Sequence, residues 1–400
     1  MSTPLSTTTP GAMTEHTAHW GGVLAMTLCV FALIASEFLP VSLLTPIAAD
    51  LHVSEGLAGY GLAISGAFAV LTSLSIARLA AGMNRKTLLL LMTALMAISA
   101  VVVASAQNYV SYMIGRALIG VVVGGFWSMS AAVAMRLVPS ASVPRALAIF
   151  NGGNALATVV AAPLGSYLGH LFGWRSTFLI LVPIAAMALA WQWISLPSMP
   201  AAAREEAPAP LLGLLKQRLV VLGMLAVGTF FMGQFVLFTY IRPFLERVTQ
   251  VDNATLSTIL LVIGLAGFLG TLLISTLVQW SLYRTLIIIP LLMAGIALAL
   301  TVWGNWTGMT LILLGLWGLM ATAAPTGWWS WLAQALPKDA EAGGGLMVAI
   351  IQLCIAFGST LGGLLFDGAG YRAAFMVSAG LLLIAALLTW ATANTQKHEQ

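Results

Sequence analysis

The chain has 400 residues, of which 60% are apolar and 7% are charged, with a formal net charge of +4. Soluble domains carry about 25% charged residues, so this composition excludes an ordinary soluble globular protein. The small positive charge gives no reason to expect nucleic-acid binding, because the Lys and Arg residues lie mostly in short breaks between apolar runs and bear on membrane topology.

The chain begins with a polar segment and continues as a series of apolar runs. Residues 1–20 are rich in Ser and Thr, and we expect a disordered cytoplasmic tail there rather than a cleaved signal peptide. Each following run approaches the roughly 20 residues that a helix needs to cross a membrane. These runs cover residues 21–45, 57–77, 87–106, 110–135, 146–169, 175–194, 219–242, 256–280, 285–303, 309–333, 345–366 and 372–392. The sequence therefore predicts an all-α integral membrane protein with twelve transmembrane helices.

No metal site or cofactor is expected from the His and Cys residues. His16 and His19 lie in the polar tail, and two histidines in a flexible tail are weak grounds for a metal. Cys29 and Cys354 lie inside separate apolar runs, where core packing is their expected role.

The longest internal break, Ser195 to Leu211, divides the spans into two sets of six. It is rich in Pro and Ala and has the composition of a linker. We predict six-helix bundles at 21–195 and 217–393, a cytoplasmic linker at 196–216 and a cytoplasmic tail at 394–400. The halves also resemble each other at an offset of 197 residues, as in Gly173-Trp174-Arg175 and Gly370-Tyr371-Arg372. Six helices repeated in one orientation form a parallel internal repeat.

The Lys and Arg residues predict the orientation. With the amino terminus inside, cytoplasmic segments hold eleven of the sixteen Lys and Arg residues. The outer loops hold four: Arg175, Arg242, Arg247 and Arg372. By the positive-inside rule we expect a multi-pass inner-membrane protein with both termini in the cytoplasm, and we expect it to be a monomer.

Glu37 is the only acidic residue inside a membrane-length apolar run. A carboxylate there costs on the order of 2.5–3.5 kcal/mol by insertion scales, so it needs a partner, a proton or a water-filled cavity. Pro40 and Pro46 follow it and interrupt the helical hydrogen bonding, which is tolerated only where the backbone is buried in protein or faces a cavity. We interpret the chain as a transporter organised around Glu37. The alternative is a protonated Glu that bonds a neighbouring helix.

Arg116 is the corresponding basic residue. At 1.5 Å per residue, Glu37 lies about 12 Å and Arg116 about 9 Å from the outer ends of their spans. Arg keeps its proton whereas a carboxylate can release one, so we assign the mobile proton to Glu37 and the fixed charge to Arg116. Direct pairing and separation of the two would alternate, as a proton-coupled exchanger requires. The alternatives are a structural role for Arg116, as an ion-pair partner or a carbonyl cap, and Asp50 as the proton carrier.

Several stretches resemble the major facilitator superfamily. Arg116 to Gly120, followed by Gly124-Gly125, resembles its fourth-helix Arg motif, and Ala161 to Gly165 resembles the signature of its drug:proton antiporter branch. Ala162 stands where that signature usually has Gly, and Ala81 replaces the acidic residue of the loop between the second and third helices. The resemblance implies the major facilitator fold, with two six-helix bundles.

Within that branch the chain most resembles the bacterial purine ribonucleoside efflux pumps. The matching stretches are Glu37 to Pro46, Gly124 to Ser130, Met135 to Pro139 and Phe238 to Pro243. The resemblance implies proton-coupled antiport that exports inosine, guanosine or their analogues. Efflux of sugars or drugs remains the alternative, because exporters of both kinds share Glu37-Phe38 and the fourth-helix Arg.

A purine nucleoside suits a cavity with aromatic walls and a few amides. Gln234 comes out roughly 12 Å from the outer end of its span, and Phe231 and Phe238 share its face at helical spacing. The candidate substrate-binding residues are Phe126, Trp127, Asn151, Asn154, Phe231, Gln234, Phe238, Trp329 and Gln352. Alternatively, the aromatics face lipid, the two tryptophans form an inner gate and the asparagines join helices.

Other classes of function fit less well. An integral-membrane enzyme would need a nucleophile with its base or a metal cluster at membrane depth, and no H-E-x-x-H pattern occurs. A scaffold or receptor would not need Glu37 and Arg116 at one depth. No P-loop pattern occurs, so we expect an ion gradient to drive transport. The expected partners are a small-molecule substrate, protons and membrane lipid, with no nucleic acid.

Overall fold

The computed structural model describes residues 18–80, 82–139, 142–200, 211–336 and 340–399. Its longer helices are α1 (Trp20–Ser42), α3 (Glu55–Leu79), α4 (Arg85–Ala104), α5 (Tyr109–Leu137), α6 (Val143–Phe172), α7 (Trp174–Ser195), α9 (Arg218–Phe238), α11 (Asn253–Trp303), α12 (Thr307–Ala335), α13 (Ala340–Ala369) and α14 (Tyr371–Glu399). Short helices α2 (Leu44–Asp50), α8 (Leu211–Leu214) and α10 (Ile241–Phe244) lie between them, and a π-helical turn covers Leu245–Thr249.

Twelve helical segments of the described chain are long and apolar enough to cross a membrane, which confirms the predicted number of spans. The described residues contain no strand. Helix α11 supplies two of the spans, because Ser281 has the non-helical angles φ −162° and ψ 102° and kinks the helix there. The protein is therefore an all-α integral membrane protein with twelve spans in two bundles of six.

The predicted terminal segments are only partly described. Residues 1–17 of the predicted tail and 201–210 of the predicted linker lie outside the described residues. At the other end, α14 continues through the predicted tail to Glu399. Its last turns are held by a hydrogen bond in which the Tyr283 hydroxyl donates to Gln396.

The first span ends in a broken backbone, as its prolines indicate. Pro40 lies inside α1, and because proline has no N–H it cannot donate to the carbonyl of Ser36. The helix ends at Ser42, and α2 starts at Leu44 after a single intervening residue. Pro46 lies in the first turn of α2, where a missing N–H is tolerated. The structure thus assigns the interruption to Pro40, whereas Pro46 lies where a new helix begins.

The two halves meet along α3 and α13, and along α6 and α11. Close approach of α3 to its neighbours depends on small residues. A methyl group added at Gly66 would lie 2.8 Å from the backbone oxygen of Gln352 in α13, and one added at Gly120 in α5 would collide with the backbone of Ser65. Backbone contact of this kind is typical of membrane helix packing. The contact at Gly66 places α13 directly beside α3 at the level of Gln352.

For the description below we call one end of the molecule the outer end. It is the end that holds the carboxyl end of α1, the start of α3 and helix α10. This name follows the orientation that the Lys and Arg pattern predicts.

Candidate functional site

Glu37 lies at the contact between the two halves. Its side chain is 6% exposed and its carboxylate oxygen Oε1 accepts a hydrogen bond from Nε2 of Gln352 at 3.2 Å. Gln352 is also buried and belongs to α13, so this bond joins the first span to the eleventh. Buried carboxyl groups need a partner. The partner in this case is an amide from the opposite bundle, and the sequence alone did not predict that pairing.

Arg116 holds the backbone beside Glu37 rather than its carboxylate. The side chain is 1% exposed. Its guanidinium donates to the carbonyls of Ser36 and Glu37, each at 2.8 Å, and to the carbonyl of Gly61 at 3.1 Å. The predicted common depth of Glu37 and Arg116 therefore agrees with these contacts, and Arg116 has the carbonyl-capping arrangement foreseen as one alternative.

The contact with Ser36 has a cause in the sequence. In a helix the carbonyl of residue 36 accepts from the N–H of residue 40, which is proline here. Arg116 supplies the missing donor through Nη1. Buried backbone carbonyls without a donor are costly, and a guanidinium presents several donors in a fixed fork. Pro40 and Arg116 thus act as a pair that stabilises the opened end of α1 next to Glu37.

Aromatic rings continue the contact between the halves. Phe38 in α1 packs against Phe235 in α9 with ring centroids 5.8 Å apart, and Phe235 packs edge to face on Phe238 at 5.9 Å. Phe231 lies one turn earlier and packs on Phe230 at 5.5 Å. We had singled out Phe231 and Phe238 but not Phe38 or Phe235. The position of Phe38 directly after Glu37 was the available signal.

Gln234 is a buried amide on α9 in the same region of the helix as the phenylalanines. Its side-chain oxygen has no hydrogen-bond partner among the described atoms. A buried acceptor without a donor costs free energy, which a ligand donor would recover. Gln234 therefore provides one unpaired, buried acceptor on the helix that also carries Phe235 and Phe238.

The remaining predicted residues lie in different surroundings. Phe126 is fully buried in the core of the first half and packs edge to face on Trp127 at 6.2 Å. Trp329 is 45% exposed, and Asn154 is half-buried. The side chain of Asn151 lies outside the described part of the structure. The contacts join Glu37, Arg116 and Gln352 directly, and these other residues are not part of that network.

A separate cavity opens at the outer end of the second half. It has a volume of about 580 Å³. Its lining residues are Arg247, Val248, Thr249, Gln250, Asn305, Ala369, Gly370, Tyr371 and Arg372. Glu37 is not among these lining residues, so this cavity is distinct from the candidate site.

The fold and the sequence both match known transporters. A family model for the Major Facilitator Superfamily matches residues 26–343. A solved bacterial homolog of the human lysosomal transporter Spinster, inward-facing and unoccupied, aligns with a TM-score of 0.75 at 16% identity, covering 94% of this chain and 97% of its own. At that identity the likeness concerns the fold alone.

Two relatives match almost the whole chain. A Pseudomonas aeruginosa protein called transcription regulatory protein OpdE is 64% identical over 385 residues, with 96% of each chain covered. The purine ribonucleoside efflux pump NepI of Salmonella paratyphi B is 38% identical over 370 residues, covering 92% of this chain and 93% of the relative. With twelve spans and a family match over residues 26–343, the chain belongs to the Major Facilitator Superfamily and is a membrane transporter of that fold.

Proposed function

We propose that this protein exports purine ribonucleosides in exchange for protons. The observation that supports the proposal is the hydrogen bond between Glu37 and Gln352, because it joins the one acidic residue of the first span to a helix of the second half. A carboxylate buried at such a contact changes its interactions whenever the bundles move. Intramembrane ionisable residues commonly mark ion pathways.

Coupling follows from the contacts of that carboxyl group. When the bundles part, the Gln352 amide withdraws and water reaches Glu37, so the carboxyl group can exchange a proton with that side of the membrane. Arg116 is bonded to backbone carbonyls on both α1 and α3, which belong to the same half, so we expect these bonds to remain when the halves part. It therefore keeps a fixed positive charge near Glu37 in each state, while the mobile proton resides on Glu37.

Recognition of a nucleoside is supported by the neighbouring groups. The Phe38–Phe235–Phe238 cluster offers ring faces for stacking a purine, and Gln234 offers an acceptor for a hydroxyl or amino group. Among the relatives, the printed name of the 38% identical protein gives purine ribonucleosides as what it exports. Both considerations favour a nucleoside over a sugar, which has no aromatic face, although a drug would also stack.

Substrate choice can be measured in proteoliposomes that contain the purified protein. With an acid lumen, we expect labelled inosine or guanosine to accumulate inside, since protons leave as nucleoside enters. Arms with a labelled sugar and with a hydrophobic cationic drug use the same vesicles. Accumulation of the sugar or drug without any nucleoside flux would reject the nucleoside assignment.

A second candidate function comes from the relative named a transcription regulatory protein, which is 64% identical. The described chain consists almost entirely of membrane spans, so we infer that an effect on transcription would arise through the solute that the protein moves. A Glu37→Gln variant tests this in cells. Loss of both solute flux and the transcriptional response would support the indirect route, whereas a normal response without flux would contradict it.

A further inference from the structure

A buried guanidinium ties the two halves together at the outer end. Arg242 in α10 is 5% exposed. It donates to the backbone carbonyl of Ser42 at the end of α1, and to the hydroxyl of Ser166 in α6 at 3.2 Å. Within its own half it pairs with Glu246 at 2.8 Å. One side chain of the second half therefore contacts two helices of the first.

Further contacts join the two halves at the same end of the molecule. The carboxylate of Asp367, near the end of α13, accepts from the hydroxyl of Ser54 and from the backbone N–H of Gly56 at 3.1 Å. Arg247 pairs with Glu55 at the start of α3. These bonds join the amino end of α3 to the second half. An acidic group such as Asp367 is favourable beside the amino end of a helix because of the helix dipole.

The burial of each charged side chain decides how strongly its contact holds the two halves together. The Arg247 side chain is 58% exposed and Asp367 is also exposed, so water and salt weaken both contacts. Arg242 is shielded, and charge-assisted hydrogen bonds are stronger there. Burial lowers the pKa of Arg242 while Glu246 opposes that shift, and a guanidinium remains protonated in proteins. Arg242 therefore stays positively charged, and its hydrogen bonds to the first half are charge-assisted.

Transporters of this architecture expose a central site alternately to each side as one bundle moves against the other. Contacts between the bundles at the outer end must break before that side can open. We propose that Arg242 is the central residue of an outer latch, formed with Ser42 and Ser166, that holds the outer side closed. The proposal does not depend on which solute the protein carries.

Distances between the outer loops test the latch without a transport assay. Spin labels are attached at Gln107→Cys in the first half and Asn305→Cys in the second, both exposed, with Cys29 and Cys354 changed to Ser. The protein is measured by double electron–electron resonance in nanodiscs. The matched control is Arg175→Gln, because Arg175 bonds Asp50 and the Ala106 carbonyl within the first half only.

We expect Arg242→Gln to raise the population with the longer loop-to-loop distance about tenfold, since it removes charge-assisted bonds between the halves. Arg175→Gln should keep the parent distribution. Arg242→Lys keeps a cation beside Glu246 but lacks the guanidinium fork, and it should give an intermediate increase. If neither Arg242 variant differs from the parent, the latch is contradicted.

A cross-link gives a second test should Arg242→Gln fail to fold. In a protein without the two spin-label cysteines, Ser54→Cys and Asp367→Cys, whose parent side chains are in contact across the halves, are joined through disulfides by a short bis-methanethiosulfonate reagent. The cross-linked protein should lose all net transport, and reduction of the disulfides should restore it. A cross-linked protein that still transports would overturn the proposal.

Discussion

Replacing Arg116 by Met tests whether this residue completes the backbone hydrogen bonds that Pro40 leaves open. Arg116 donates to three carbonyls, of Ser36, Glu37 and Gly61. Two of these have a helical N–H donor four residues later. The carbonyl of Ser36 has none, because residue 40 is proline.

The expected coupling energy between the two substitutions follows from this difference between the Ser36 carbonyl and the other two. Leaving the Ser36 carbonyl without a donor costs about 1–3 kcal/mol. A second substitution, Pro40→Ala, restores the N–H at position 40. In the parent protein this N–H adds little, because the carbonyl already has a donor in Arg116. In the Arg116→Met variant it should recover about 1–2 kcal/mol, a coupling that corresponds to a roughly five- to thirty-fold change in the unfolding equilibrium.

The assay is a double-mutant cycle on the free energy of unfolding in mixed detergent micelles. The change in helix propensity at residue 40 is common to both backgrounds and cancels in the cycle. Pro183→Ala, in α7, serves as the control and should be additive with Arg116→Met. Additivity of Pro40→Ala and Arg116→Met to within about 0.5 kcal/mol would refute the reasoning.

Three further predictions address packing and the site. Gly66→Ala should lower the free energy of unfolding by about 1–3 kcal/mol, because its methyl group would lie 2.8 Å from the Gln352 carbonyl oxygen. The control, Gly152→Ala, has open space around it and should be neutral or stabilising, and thermal unfolding measures both variants. Gln352→Leu should lower proton-driven flux about tenfold through loss of the bond to Glu37, whereas Gln192→Leu should lower stability but not coupling. Phe235→Ala should raise the nucleoside KM about tenfold at unchanged expression, and an unchanged KM would remove this ring from the binding surface.

Hydropathy was sufficient to predict the helices because each span must satisfy its own backbone in lipid. The predicted break between the eighth and ninth spans lies at the kink of Ser281, although α11 runs on through it. The helical end of α14 beyond residue 394 could not be predicted in the same way. Gln396 there accepts a hydrogen bond from the Tyr283 hydroxyl, a residue 113 positions earlier in the sequence, and the apolar pattern does not reveal such a contact.

The site was predictable where a residue was anomalous in its own segment. Glu37 and Arg116 are charges inside apolar runs, and Pro40 identifies the carbonyl that Arg116 caps. The bond from Gln352 joins residues 315 positions apart, so it depends on how the two bundles pack and could not be read from either segment. Arg242 was assigned to an outer loop by its charge, and its burial between the halves arises only from tertiary structure.

The most direct test of the central claim measures uphill nucleoside accumulation in acid-lumen proteoliposomes for three proteins: the parent, Glu37→Gln and Asp252→Asn. Asp252 is an exposed carboxylate that caps α11, and Asn caps a helix equally well. We expect the parent and Asp252→Asn to accumulate labelled inosine, and Glu37→Gln to equilibrate it without accumulation. Uphill accumulation by Glu37→Gln with the parent's dependence on the pH gradient would contradict the assignment of the proton to Glu37.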